Sequence, residues 1–262
     1  MKIPAAYWSV GEGPPVVLLH STLGSKNQWR ALSGMLSCDY QVIAVDLYGY
    51  GDTPMPDSKD DFTLLDEVEL VQSLLDDLLQ PDEPFHLVGH SYGAAVALRF
   101  CHHLPARVKT LTVFEPVAFH LLDQGDPGLE PVLAMMRELA GLMRAGLYSE
   151  AAAAFVDYWS GPGSFARFPQ RMQRDFALRT GKLELDFRAL TKTPLALSDY
   201  RQLRLPVTLI AGRQSRLPAL RVAEELSLTL PDCTLYWVDT GHMGPLTDPE
   251  LVNPIIKRSL LP

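Results

Sequence analysis

Six short apolar runs recur along this chain with helical stretches between them: Val16 to His20, Gln41 to Asp46, Phe85 to His90, Thr110 to Glu115, Pro206 to Gly212, and Cys233 to Asp239. Strands that alternate with helices cannot be joined by hairpins, so this order predicts a parallel sheet covered by helices, an α/β fold. The runs are continuous in Val, Leu and Ile, which suits strands buried on both faces. Ala5 to Val10 adds one antiparallel edge strand before a turn at Gly11 to Pro15.

The helices between the strands are also legible. Thr63-Leu64-Leu65-Asp66 has capping-box spacing, and Leu64, Val68, Val71, Leu75 and Leu78 then mark one apolar face. The alternation stops after Glu115-Pro116 and resumes at Leu205-Pro206, leaving a stretch of helical periodicity without a convincing strand. We read 1–116 and 205–262 as the core and 117–204 as an inserted helical cap. Within the cap, Glu130 to Arg144, Glu150 to Trp159 and a segment between Pro169 and Leu190 are expected helices, broken at Gly146 and at Gly161-Pro162-Gly163. Charge is uneven: residues 164–204 carry nine Lys or Arg against four Asp or Glu, whereas residues 52–83 carry eleven acids against Lys59 alone. A basic cap suits anionic substrates, although a solvated basic face is the ordinary state of such residues.

With 262 residues, 47% of them hydrophobic, the chain can bury one large core. A net charge of −8 and the lack of a basic stripe argue against nucleic-acid binding. No apolar run reaches membrane-spanning length, and Met1-Lys2-Ile3-Pro4-Ala5 leads into no export signal, so a cytoplasmic location is the expectation. Cys38, Cys101 and Cys233 are odd in number, far apart and without metal-ligand spacing, so no metal, cofactor or disulfide is expected.

The chemistry concentrates at Gly89-His90-Ser91-Tyr92-Gly93. An apolar strand runs into it and the small-residue helix Ala94 to Phe100 leaves it, which is the context a nucleophile elbow requires. Glycines at 89 and 93 let strand and helix approach, and the helix amides face any oxygen that turns negative during attack at Ser91. A serine hydroxyl needs a base. Of the seven histidines, His242 is the best placed, in the glycine-flanked loop Thr240-Gly241-His242-Met243-Gly244-Pro245 after the last strand. His86 falls inside a strand, His90 points elsewhere, His102 and His103 sit near a helix end, and His120 begins the cap.

The strand order, Gly89 to Gly93, the loop Asp46-Leu47-Tyr48-Gly49-Tyr50-Gly51-Asp52 and Gly241-His242 together resemble the α/β-hydrolase fold family, over essentially the whole chain and least in the cap. The resemblance implies the chain order serine, acid, histidine. Many members place an aspartate three residues after the glycine ending the penultimate strand, but Gly212-Arg213-Gln214-Ser215 puts Ser215 there. Part of the family places the acid after the strand that follows the nucleophile helix, and Glu115 stands there; Asp239 and Asp199 are the alternatives. The family's oxyanion hole maps onto the amides of Tyr92 and of Thr22, within His20-Ser21-Thr22-Leu23-Gly24-Ser25. Because the nucleophile is serine, the resemblance disfavours the family's epoxide hydrolases and dehalogenases, which form their ester on a carboxylate.

The expected function is hydrolysis of a small or medium ester through an acyl-serine. A pocket is expected between sheet edge and cap, lined by Tyr92, Phe119, Met135, Met143, Tyr158 and Trp159, or else those residues pack as cap core. Carbon-carbon bond hydrolysis, thioester hydrolysis and perhydrolysis fit the same residues. A non-catalytic ligand receptor with a remnant triad fits Ser215 at the common acid position.

Overall fold

The computed structural model describes residues 4–57 and 60–261. Residues 1–3, at the start of the segment read for an export signal, and Lys59, the one base of the acidic stretch, lie outside the described residues.

Seven strands form one sheet: β1 (Tyr7–Val10), β2 (Pro15–Leu19), β3 (Gln41–Val45), β4 (Phe85–His90), β5 (Val108–Phe114), β6 (Val207–Gly212) and β7 (Cys233–Val238). Their spatial order is β1-β3-β2-β4-β5-β6-β7. β1 runs antiparallel to β3, with Tyr7 opposite Val45, and every other pair is parallel. The α/β architecture read from the alternation is therefore the one observed.

Alternation within the strands divides the core between the two faces of the sheet. Val17, Leu19, Ile43 and Val45 belong to one apolar cluster, and Val16, Leu18, Val42 and Ala44 to the other. The last strand departs from the expectation of double burial. β7 is only partly buried, because it is an edge strand with a neighbour on one side only.

The helices in chain order are α1 (Arg30–Leu36), α2 (Leu64–Leu78), α3 (Tyr92–His103), α4 (Leu129–Arg144), α5 (Tyr148–Ser160), α6 (Ser164–Arg167), α7 (Gln170–Lys192), α8 (Leu197–Tyr200), α9 (Leu217–Thr229), α10 (Gly244–Thr247) and α11 (Pro249–Ser259). Thr63 caps α2 as its spacing predicts: its hydroxyl accepts from the Leu65 amide at 3.2 Å, and Asp66 accepts from the Thr63 amide at 2.8 Å. Leu64, Val68, Val71 and Leu75 are buried along the expected face, and Glu67 is buried with them. Helices α4 to α8 fill the chain between β5 and β6, with no strand among the described residues there. Their apolar side chains do not form a separate core. Leu139, Phe155 and Leu183 join the same cluster as Val17 and Leu19 on the sheet. Among the described residues, no helix is long and apolar enough to cross a membrane.

The turn at Ser91 depends on two glycines. A Cβ on Gly89 would meet the Gly93 carbonyl oxygen at 2.5 Å, and one on Gly93 would meet the carbonyl oxygens of Leu19 and His20 at 2.4 and 2.5 Å. Both obstacles are backbone, so neither can swing aside. Gly93→Ala is expected to cost about 3 kcal/mol by overpacking, whereas Gly34→Ala, with no atom within 4 Å of its new methyl, gains up to about 1 kcal/mol in helix propensity. Urea denaturation of the pair checks this; a Gly93→Ala protein as stable as the parent would contradict the packing argument.

Candidate active site

The carboxyl ends of β2, β4, β5 and β7 deliver the residues singled out above to one edge of the sheet. Ser91 follows β4 with φ 55° and ψ −114°, and α3 begins at the next residue. Its amide donates to the Phe114 carbonyl at 3.0 Å, which fixes the turn against β5. Glu115 follows β5 with φ 44°, and Leu23 follows β2 with φ 58°. Of the four described non-glycine residues with positive φ, only Asp82 lies elsewhere. A positive φ costs a side-chain-bearing residue of order 1–3 kcal/mol, and such strain collects where function requires a particular side-chain direction.

The three side chains form one continuous hydrogen-bonded row. The Ser91 hydroxyl lies 2.9 Å from His242 Nε2, and His242 Nδ1 lies 2.6 Å from Glu115 Oε2. The other carboxylate oxygen, Oε1, accepts from the Gly212 amide at 2.6 Å, so both oxygens of this fully buried group are engaged. A buried carboxylate needs such partners. The alternative acids are occupied elsewhere: Asp239 is exposed and paired with Arg213 at 3.3 Å, and Asp199 accepts from the Ala196 amide at 2.8 Å. The Ser215 hydroxyl has no hydrogen-bond partner among the described residues.

Thr22, in the loop after β2, and Tyr92, the first residue of α3, flank Ser91. Neither backbone amide donates to a protein acceptor among the described residues, while their neighbours do: Gly93 donates to the His20 carbonyl at 3.1 Å and Gly24 to the Ser21 carbonyl at 2.9 Å. Unpaired amides beside a nucleophile are what an oxyanion hole requires.

Two histidines other than His242 hold the loops of the site, a role that local spacing does not signal. His20 Nδ1–H donates to the Ser21 carbonyl at 2.7 Å, and its Nε2 accepts from the Leu47 amide at 3.0 Å. His90 Nε2–H donates to the carbonyl of His242 itself at 2.8 Å, and its Nδ1 accepts from the Gln28 side-chain amide at 3.0 Å. The Gln28 carbonyl oxygen in turn accepts from both the amide and the hydroxyl of Ser21, at 3.1 and 2.9 Å. A chain of hydrogen bonds, Ser21–Gln28–His90–His242, thus ties the loop of Ser21 and Thr22 to the loop of His242. The expectation that His90 points elsewhere is corrected: its ring centroid lies 5.3 Å from that of His242.

Each of these rings uses one nitrogen as donor and one as acceptor, so each is held neutral. Burial lowers the His20 pKa to about 4, and burial followed by the His242 charge lowers that of His90 well below the ordinary value. Depressed histidines contribute stability above the unfolded pKa of about 6.5, and that stability is lost as pH falls toward the folded values. Stability is expected to fall below pH 6.5 by up to about 1.4 kcal/mol per pH unit for each such histidine. Urea midpoints at pH 7 and pH 5.5, where most carboxylates remain ionised, measure the slope; a flat profile would contradict it.

A cavity of about 960 Å³ opens over the row and is lined by Thr22, Ser91, His242 and Trp159, with Phe168 and Phe176 from the helical segment. Trp159 lies over the imidazole, 4.2 Å between ring centroids. A second cavity of about 550 Å³ reaches His242 past Tyr158, Trp159 and Ser215. The expected lining is corrected in part. Phe119 is buried behind Trp159, stacked on it at 6.5 Å, and Met135 and Met143 pack into the main apolar cluster, because their helix α4 packs against α5, α7 and α9. The Tyr92 side chain is likewise fully buried, with its hydroxyl on Glu67 at 3.1 Å.

Similarity to known proteins agrees with the fold. The sequence profile of the alpha/beta hydrolase fold matches residues 14–249. Epoxide hydrolase 3 of Siraitia grosvenorii is 43% identical over 104 residues, a match covering 39% of this chain and only 32% of that protein. A putative 2-succinyl-6-hydroxy-2,4-cyclohexadiene-1-carboxylate synthase of Bacillus subtilis is 27% identical over 97% of this chain and 94% of its own. Among solved structures, a hydrolase from Pseudomonas aeruginosa PA01 superposes with a TM-score of 0.81 at 24% identity, covering 98% of this chain and 94% of that one. With a profile match across nearly all of its length and a sheet of the same architecture, the chain belongs to the α/β-hydrolase fold family.

Proposed function

We propose that the protein is a serine hydrolase that cleaves a small or medium carboxylic ester through an acyl-enzyme. The observation that carries this reading is the unbroken row Glu115–His242–Ser91 opening onto a cavity large enough for such a substrate. Residues 117–204 serve as the cap over that cavity in this reading, on a core of 1–116 and 205–262.

The Ser91 hydroxyl attacks the acyl carbon while His242 Nε2 takes its proton, and Glu115 supports the imidazolium through Nδ1–H. The carbonyl oxygen, now negative, receives hydrogen bonds from the amides of Thr22 and Tyr92. His242 returns the proton to the leaving alkoxide, then activates a water that releases the acid and restores Ser91. Epoxide hydrolase and synthase are the names of relatives; a serine at the elbow favours acyl transfer here. The reading is tested with p-nitrophenyl esters of increasing acyl length. Turnover of at least one member is expected, and no turnover of any member would contradict the proposal.

The cavity wall also favours substrates that carry an anionic group away from the ester. Arg167 and Arg171 line it, are exposed, and have no acidic partner among the described residues, whereas Arg179 is spent on the carbonyls of Gly49 and Gly51 at 2.9 Å each. Monomethyl glutarate is therefore expected to exceed dimethyl glutarate in kcat/KM by about tenfold, one charge-assisted contact. The preference should vanish in an Arg167→Gln, Arg171→Gln double variant; equal rates in the parent would contradict it.

A further inference from the structure

The proposed reaction does not use a fully buried lysine. Lys182, in the middle of α7, has no exposed side-chain surface, and its ammonium donates to Glu67 of α2 at 2.8 Å and to Asp186 one turn along its own helix. The rings of Phe62, Tyr92 and Tyr50 surround it, with centroids 4.3, 4.9 and 5.4 Å from Nζ. Burial works against its charge, but Asp186 and Glu67 outweigh burial and hold its pKa above the ordinary value. Apolar residues of the same volume commonly stabilise a fold as well as or better than such a cluster, so stability alone is a weak account of it.

The remaining acceptor sites of the two carboxylates lead to the oxyanion side of the site. Asp186 Oδ2 accepts from the Tyr50 hydroxyl at 2.6 Å and from the Thr22 hydroxyl at 3.1 Å. Glu67 Oε1 accepts from the Tyr92 hydroxyl at 3.1 Å, and Oε2 accepts from the Tyr48 amide at 3.1 Å. The two residues whose unpaired amides flank Ser91 are thus both held, through their side chains, by one ion cluster. Thr22 also adjoins Leu23, whose φ of 58° persists only if the surroundings over-determine the loop. Oxyanion donors act within a narrow range of positions, so a tie of this kind bears on rate.

We propose that Lys182, Asp186 and Glu67 are positioning residues for the oxyanion hole, so that seating α7 on the core sets the amides of Thr22 and Tyr92. This inference rests on the esterase reading above. The insertion is then part of the machinery that stabilises the transition state as well as a wall of the cavity.

The test separates alignment from folding. Thr22→Val removes only the hydroxyl tie and keeps the amide and the side-chain volume; Thr22→Ser restores the hydroxyl; Asp186→Asn removes the charge from the acceptor. For a p-nitrophenyl ester, Thr22→Val and Asp186→Asn are expected to lower kcat by about tenfold to a hundredfold, less than loss of a whole donor, with KM little changed. Thr22→Ser should retain the parent rate. Affinity for a trifluoromethyl ketone, which forms an oxyanion on Ser91, should fall by the same factor, while affinity for the matching alcohol, which cannot, should stay constant. Thermal melting shows whether each variant is folded.

Thr22→Val that turns over and binds the ketone like the parent would overturn the inference while leaving the esterase reading intact. A rate loss matched by equal losses of ketone and alcohol affinity would assign the cluster to structure alone and overturn it too. A parent protein that neither hydrolyses the ester nor binds the ketone would overturn both.

Discussion

Ser91→Ala is expected to lower kcat for any ester the protein turns over by about 10⁶-fold, the scale of losing a nucleophile whose partners act only through it. The fold should be unaffected. The strained backbone at Ser91 is held by its amide on the Phe114 carbonyl and by the close approach that Gly89 and Gly93 permit, none of which involves the hydroxyl. Among the described residues, the hydroxyl's one side-chain partner is His242 Nε2. Melting temperature should therefore change little while turnover disappears; a variant that kept a tenth of the parent rate would remove Ser91 from the mechanism.

Glu115→Gln carries the second-largest expected effect, about 10⁴-fold in kcat, and for a reason readable from its hydrogen bonds. Oε1 must remain an acceptor, because the Gly212 amide donates to it. The glutamine's NH2 group would then occupy the Oε2 position and face His242 Nδ1 as a donor. Nδ1 can answer only as an acceptor, which moves the ring proton to Nε2 and points N–H at Ser91. The base is then in the wrong tautomer to take the hydroxyl proton. Asp239→Asn, at an exposed carboxylate paired with Arg213, should stay within about twofold of the parent. A glutamine variant near full activity beside a crippled Asp239→Asn would transfer the acid role.

The sheet and the row of three were legible because each rests on local signals at strand ends. Strand alternation orders the sheet, and the strained turns at Ser91 and Glu115 each follow an apolar run that is a strand in the structure. Glu115 is set apart from Asp239 in the sequence by its place directly after the strand that follows the helix of Ser91, the place the family resemblance points to. What sequence did not disclose are contacts made across long separations. His90 to His242, Gln28 to His90, and Lys182 to Glu67 join residues 152, 62 and 115 positions apart. No spacing rule relates them. The same holds for the basic stretch 164–204: two of its members are engaged within the protein, Lys182 buried in the ion cluster and the half-buried Arg179 on two carbonyls. Met135 and Met143 mislead for the opposite reason, since an apolar stripe on a helix reads the same whether it meets a cavity or a core.

The central claim, that Ser91 is a nucleophile activated by His242, is tested most directly by covalent capture. Treatment with a fluorophosphonate probe, followed by proteolysis and peptide mass spectrometry, should place a single adduct on Ser91, absent from Ser91→Ala and strongly slowed in Glu115→Gln. A protein left unlabelled, or labelled equally well without Ser91, would contradict the account.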